Sequence, residues 1–358
     1  MPNGTLRLTV IALVANFLSV SATIAQPANI AMLKGDERRA TLVKGAAAEG
    51  KVLFYSGWVA DQVLRPMGAA FHSAYPSVEI EFVTGNNRLL FQKLVTEGRA
   101  GVNIADVIGD TAIAEPLIQA GLVQPYYTPS ADAIPAQFKS PQGYYVSANI
   151  YYYGVAYNKR LVKPEAAPKL YEDLLEPRWR GKTTWPSASD SGAPLFIMNI
   201  LAAKGDSDGE AYLKALSLNK IVNFTGSARA MVDRVGQGEF ELSLASFAHH
   251  PLISQAVGAP LDVSMMEPVA ADINTILLLK NAPHPHAAML LIDFIFSRDG
   301  QAILQKAGYF PTRSDVEPIA SMRRIIPTLN NMKMNVMLPD VAFALRGKAT
   351  QLFDRYFK

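Results

Sequence analysis

Apolar positions along this chain alternate between two periods. From residue 51 the run KVLFY is short and apolar and ends in the loop SGW. Residues 61–75 place Leu64, Met67, Phe71 and Tyr75 three or four apart, the spacing of one helix face, with Asp61 as N-cap. SVEIEFV alternates apolar and polar residues, as a half-buried strand does. NNRLLFQKLVTEGRAG reads as a helix capped by Asn and stopped by Gly98 or Gly101, and ADVIGD as another short strand. This repetition predicts a parallel sheet with crossover helices. Ligands of such sheets bind beyond the carboxyl ends of the strands. Here those ends are residues 56–58, 84–88 and 109–111.

GYYVSANIYYYGVAYNK, residues 143–159, is strand-like but longer than an average strand, so it is expected to run from one lobe into the next. A second α/β stretch follows from residue 170, with a helix over 195–203, and DINTILLLK reads as a return strand. An amphipathic tail closes the chain at Lys358. The expected fold class is α/β with two lobes: 44–148 plus 266–315, and 149–265 plus 316–358.

Composition supports two cores: 358 residues, 49% hydrophobic and 18% charged. The net charge of +3 is dispersed and no Lys/Arg run exceeds two, which argues against a nucleic-acid surface. Zero cysteines exclude disulfides, thiolate metal sites and a Cys nucleophile. Residues 1–25 carry one cation, Arg7, then an apolar run and small residues before Gln26, the pattern of a cleaved export signal. The mature chain is therefore expected to be soluble and periplasmic or secreted.

Three loops end in small polar residues at a predicted helix start: TGNNR (84–88), PSASDSGAP (186–194) and FTGSAR (224–229). Each alone is adequate as an N-cap. Arg88 and Arg229, however, fall in first helical turns, where a cation opposes the helix dipole, and the repetition suggests an anion in front of those helices. Asp190 points the other way, toward a ligand amine or hydroxyl, or toward capping alone. Candidate ligand contacts are Ser56, Trp58, Asn87, Arg88, Asp110, Thr111, Ser187, Ser189, Asp190, Ser191, Ser227 and Arg229. Catalytic patterns are thin. Ser191 lies in DSG without a G-x-S-x-G elbow, His72 falls on a polar helix side, and His284 and His286 sit in a proline-broken loop expected to be exposed. No cofactor is called for.

Longer motifs add to this. YNKRLV…PKLYEDLLEPRWRGK (157–182), HAAMLLIDFIFSRDGQAILQKAGYFPTRSDV (286–316) and EGRAGVNIADV (97–107) resemble signatures of bacterial ABC-transporter solute-binding proteins of the ferric-iron-binding type. The resemblance implies the type 2 periplasmic-binding-protein fold, two α/β lobes joined by crossing hinge strands that close on a ligand. It also implies a monomer delivering to a membrane permease and its ATPase. Iron-carrying members ligate ferric ion through an adjacent tyrosine pair late in the second lobe. The matching region here is SFAHHPLIS, which has no tyrosine and puts His249 and His250 at or within a residue or two of that pair. Ferric ion favours oxygen donors over imidazole. The leading expectation is thus a small anionic organic solute, with one of the two histidines touching it and Trp58, Tyr151, Tyr152 and Tyr153 as flat walls. The alternatives are ferric iron or an iron chelate, held by His249, His250, Tyr151 and Tyr153, and an exported hydrolase using Asp190, Ser191 or the histidines.

Overall fold

The computed structural model describes residues 29–187 and 189–358; the expected export signal lies outside them. The chain opens with α1 (Arg38–Glu49), β1 (Lys51–Ser56), α2 (Arg65–Ala74), β2 (Glu79–Thr84), α3 (Asn87–Arg99), β3 (Val107–Asp110), α4 (Ala114–Gln119) and β4 (Val123–Gln124). It crosses through β5 (Tyr145–Asn158) to β6 (Thr183–Pro186), α5 (Ala193–Ser217), β7 (Val222–Phe224), α6 (Ala228–Gln237), β8 (Leu242–Phe247), α7 (His249–Ala256) and β9 (Leu261–Ser264). It returns through β10 (Val269–Leu279) to α8 (Pro285–Phe296), α9 (Arg298–Lys306), β11 (Phe310–Pro311), β12 (Met334–Met337) and α10 (Pro339–Tyr356).

In the first lobe β1 lies parallel to β2 and β3, and β10 runs antiparallel to β3. In the second, β6 lies parallel to β7 and β8. β5 belongs to both. Tyr145 to Tyr152 pair with β10, whereas Tyr153 to Asn158 pair with β8 and β9. Every residue of β5 but the first is buried, and all of β10 is. That is why both read as long, nearly unbroken apolar runs.

Three details differ from the sequence reading. Residues 60–64 form a wide π-helical turn before α2, because Pro66 has no N–H to return to the preceding turn; Asp61 pairs with Arg65 at 2.6 Å instead of capping. His284 and His286 are not free in solvent. Their rings meet Asp106 at 2.9 Å and Glu49 at 2.6 Å, and Glu49 also accepts from the Ala287 N–H at the start of α8. The segment 316–358, expected with the second lobe, touches both lobes. β12 pairs with Val269 to Asp272 of β10, and α10 packs Phe353 and Phe357 beside Trp185, while Arg346 donates to the Ala112 carbonyl of the first lobe.

Gly154 marks the crossing. A Cβ there would sit 2.7 Å from the Ser264 carbonyl of β9. Gly154→Ala is therefore expected to lower stability by about 1–3 kcal/mol, read as a lower urea midpoint, since overpacking forces backbone shifts. An unchanged midpoint would contradict this close approach.

Candidate functional site

Between the lobes lies a cavity of about 520 Å³. From the first lobe it is lined by Gly57 and Trp58 after β1, by Thr84 to Asn87 at the junction of β2 and α3, and by Asp110 and Thr111 after β3. The second lobe adds Pro186, Ser189, Ser191 and Gly192 ahead of α5, Thr225 to Arg229 at the start of α6, and Phe247 and His250. All these segments lie at the carboxyl ends of parallel strands, where crossover topology leaves a crevice.

Three helix N-termini open onto this space. Asn86 caps α3 by accepting from the Leu89 N–H at 2.9 Å, and Ser227 caps α6 by accepting from Ala230 at 3.1 Å. α5 begins at Gly192 with no side-chain cap. A Cβ at Gly192 would lie 2.0 Å from the Pro186 carbonyl, so the turn that aims α5 at the cavity requires glycine.

The lobes touch across the cavity rim. Arg88, expected to face the solute, instead donates to Asp190 at 2.8 Å, and Arg346 of α10 reaches the same carboxylate at 3.1 Å. Asp190, poised on the opposite lobe, is the anion within reach of both guanidiniums, so Arg88, Asp190 and Ser187 line a neighbouring outer groove and not the cavity. Asn87 donates to the Thr111 carbonyl at 3.2 Å and accepts from Ser189 at 3.3 Å, and the Thr111 and Ser191 hydroxyls pair. Arg229 does reach the cavity wall, where Ser254 accepts from its guanidinium at 2.7 Å and Asp233 lies 3.3 Å away.

His249 and His250 open helix α7, and both are buried. His250 lies on the cavity wall, edge-on to Phe247 at 5.2 Å. His249 sits behind it, stacked on Tyr151 at 5.8 Å and tilted against Tyr309 at 4.7 Å. Burial, with the Arg229 charge adding, holds both rings neutral: His250 is pushed down to about 3 and His249 well below its usual value. The pair therefore offers hydrogen bonds, not charge.

The tyrosines divide as alternate positions on a strand must. Tyr151 and Tyr153 face inward beneath Phe247, at 4.6 and 5.0 Å, while Tyr152 packs on Phe310 at 5.0 Å on the opposite face. None of the three lines the cavity. Burial raises all three hydroxyls, Tyr152 to about 12 and the others well above the ordinary phenol range. Ser56 is buried as well, its hydroxyl accepting from the Trp58 N–H at 3.2 Å.

Beneath Asp110 is a polar layer absent from the sequence reading. Asp272 pairs across from Tyr151, and Asn274 from Asn149, so these side chains share one face of the hinge strands. Their signal was available: D-I-N puts two polar residues two apart in an otherwise apolar strand. One carboxylate oxygen each of Asp110 and Asp272, both amide atoms of Asn274, the Asn149 amide nitrogen and the Tyr153 hydroxyl are buried without a hydrogen-bond partner. Burial raises Asp110 to about 7 and Asp272 to about 8, with the neighbouring carboxylates pushing the same way.

The sequence pattern of the family described as bacterial extracellular solute-binding protein matches residues 102–326. The chain belongs to that family. Iron uptake protein A1 of Synechocystis sp. is 22% identical over 249 residues, 66% of this chain and 69% of that protein. Among solved structures, the periplasmic binding protein AfuA from Actinobacillus pleuropneumoniae, with fructose-6-phosphate bound, superposes with a TM-score of 0.75 at 22% identity, covering 86% of this chain and 98% of AfuA. Iron-bound HitA from Pseudomonas aeruginosa gives 0.73 at 19% identity, covering 86% and 99%. At these identities the likeness establishes the fold: this solute-binding protein has the two-lobe, type 2 periplasmic-binding architecture.

The buried acids make a pH prediction for the solute-binding protein. A carboxyl raised from 3.8 to about 8, as at Asp272, stabilises the fold fully only below its unfolded value, and that contribution is lost as pH rises toward 8. Asp272→Asn keeps the acceptor for the Ile273 N–H, so it should raise the melting temperature at pH 8, with the gain shrinking toward pH 4. A pH-independent effect in thermal melts would contradict the assignment. The histidines act oppositely. With values depressed below 6.5, their contribution is present above that pH and lost as pH falls.

Proposed function

We propose that this solute-binding protein is the periplasmic capture component of an ABC importer, and that its solute is a small organic anion, phosphorylated or carboxylated, held between the lobes without chemical change. The observation that carries this reading is the meeting of the α3, α5 and α6 N-termini at one cavity. Each presents unpaired N–H groups and a partial positive charge, so an anion between them is held by both lobes at once. A solute that touches both lobes favours the closed arrangement by its differential affinity. Trp58, Phe247 and the neutral His250 supply flat, weakly polar walls for a carbon skeleton, and about 520 Å³ suits a small molecule. The fructose-6-phosphate in AfuA, on the same fold, is consistent with an organic phosphate.

The ferric alternative draws support from Iron uptake protein A1 and HitA. The side chains here argue against carrying it over. The region resembling the tyrosine pair of iron carriers holds His249 and His250 and no tyrosine, and Tyr151 and Tyr153 sit where burial strongly resists forming the phenolate. For the hydrolase alternative, Ser191 pairs with the Thr111 hydroxyl and its N–H with Ser189, a latch between lobes with no imidazole attached. Export fits residues 1–25, and no helix among the described residues is long and apolar enough to cross a membrane. The permease and its ATPase are the partners this role requires.

Isothermal titration of the mature protein with a panel of phosphomonoesters and carboxylates tests the reading. A member of the panel should bind, and Arg229→Gln should weaken it about tenfold or more, since a hydrogen bond to a charged group contributes about 1.5–3 kcal/mol. Tight binding of ferric ion with no response to any organic anion would overturn it.

A further inference from the structure

The cavity wall also carries an unmatched negative group. Asp110 is 8% exposed; one carboxylate oxygen accepts from the Thr111 N–H at 2.7 Å, and the other has no partner. Behind it Asp272, 1% exposed, likewise leaves an oxygen unpartnered, and Asn274 at 1% exposure has no partner at either amide atom. No Lys, Arg or His among the described residues forms a salt bridge with Asp110 or Asp272. The neighbouring carboxylate, Asp190, has the same sign and is already shared by Arg88 and Arg346.

Buried carboxylates are stable only when neutralised or met by a cation. Ordered water can satisfy the open hydrogen bonds of this layer but supplies no positive charge. A ligand hydroxyl would fill the free Asp110 oxygen and leave the charge unmet. A multivalent metal needs several ligating groups converging on one point, whereas Asp110 alone of the two acids reaches the cavity. A protonated amine needs one direct carboxylate contact, and by its charge it holds Asp110 ionised.

We propose that the solute carries, besides its anionic group, a protonated amine that docks on the free carboxylate oxygen of Asp110. This rests on the organic-anion reading above and narrows it to amino-phosphates or amino-carboxylates. The solute then spans the cavity as a dipole, its anion at the helix N-termini and its ammonium over the hinge strands.

Three matched phosphomonoesters test it: O-phosphoethanolamine, 2-hydroxyethyl phosphate and ethyl phosphate, titrated into metal-free wild-type protein and into Asp110→Asn by calorimetry up to millimolar concentration. Wild type should bind the amine about tenfold or more tighter than the hydroxyl compound, as expected for a charge-assisted contact. Asp110→Asn should bring the three affinities together. Equal affinities in wild type, or an amine preference that survives Asp110→Asn or appears only with added divalent metal, would overturn the inference while leaving the anion reading standing. Failure of all three to bind would overturn the inference, while the anion reading stands or falls on the wider panel. Should Asp110→Asn not fold, the wild-type ordering alone decides.

Discussion

A buried polar face without its counter-charge governs the design of this molecule. β5 and β10 must cross between the lobes, and crossing buries them almost completely. An apolar inner face would be the stable solution. Instead that face carries Asn149, Tyr153, Asp272 and Asn274, with Asp110 beside them at the end of β3, and several of their polar atoms have no partner. Unmet polar groups of this kind cost about 1–3 kcal/mol each, and more when charged. Ordered water can meet most of these atoms; the proposed solute, binding only the closed form, returns the cost at the cavity-lining Asp110.

Closure depends on the same geometry. The rim contacts, Arg88 and Arg346 on Asp190 and Thr111 against Ser191, hold the lobes together at the cavity mouth. Arg88 is 45% exposed, so its ion pair is screened and contributes modestly. Such contacts align the lobes; on the proposed reading, a solute that meets helix N-termini from both supplies the larger preference for the closed arrangement. α10 adds a second connection, with Phe357 just past its end packed on Trp185 at 4.6 Å and Arg346 reaching the first lobe.

The loops that build the cavity were legible in the sequence because their signals are local. Asn86 and Ser227 are caps, and short strands ending at residues 56, 84 and 110 put loops at the crevice. Which side chains face the solute was less legible. Arg88 lies in the right turn, yet its direction is set by Asp190, 102 residues away in sequence. The histidines begin a helix and both bury, one at the wall and one behind it, an arrangement the sequence alone did not single out. Asp272 and Asn274 were visible as a polar interruption, but their importance comes from cross-strand pairing with Tyr151 and Asn149, a non-local fact.

The central claim is that the interlobe cavity holds an organic solute. Native mass spectrometry of the protein purified gently from its cells, compared with its denatured mass, tests this most directly. The account predicts a noncovalent adduct with the mass of a small organic anion, lost on denaturation. An adduct of iron alone would contradict it and would return His249, His250, Tyr151 and Tyr153 to consideration as metal ligands.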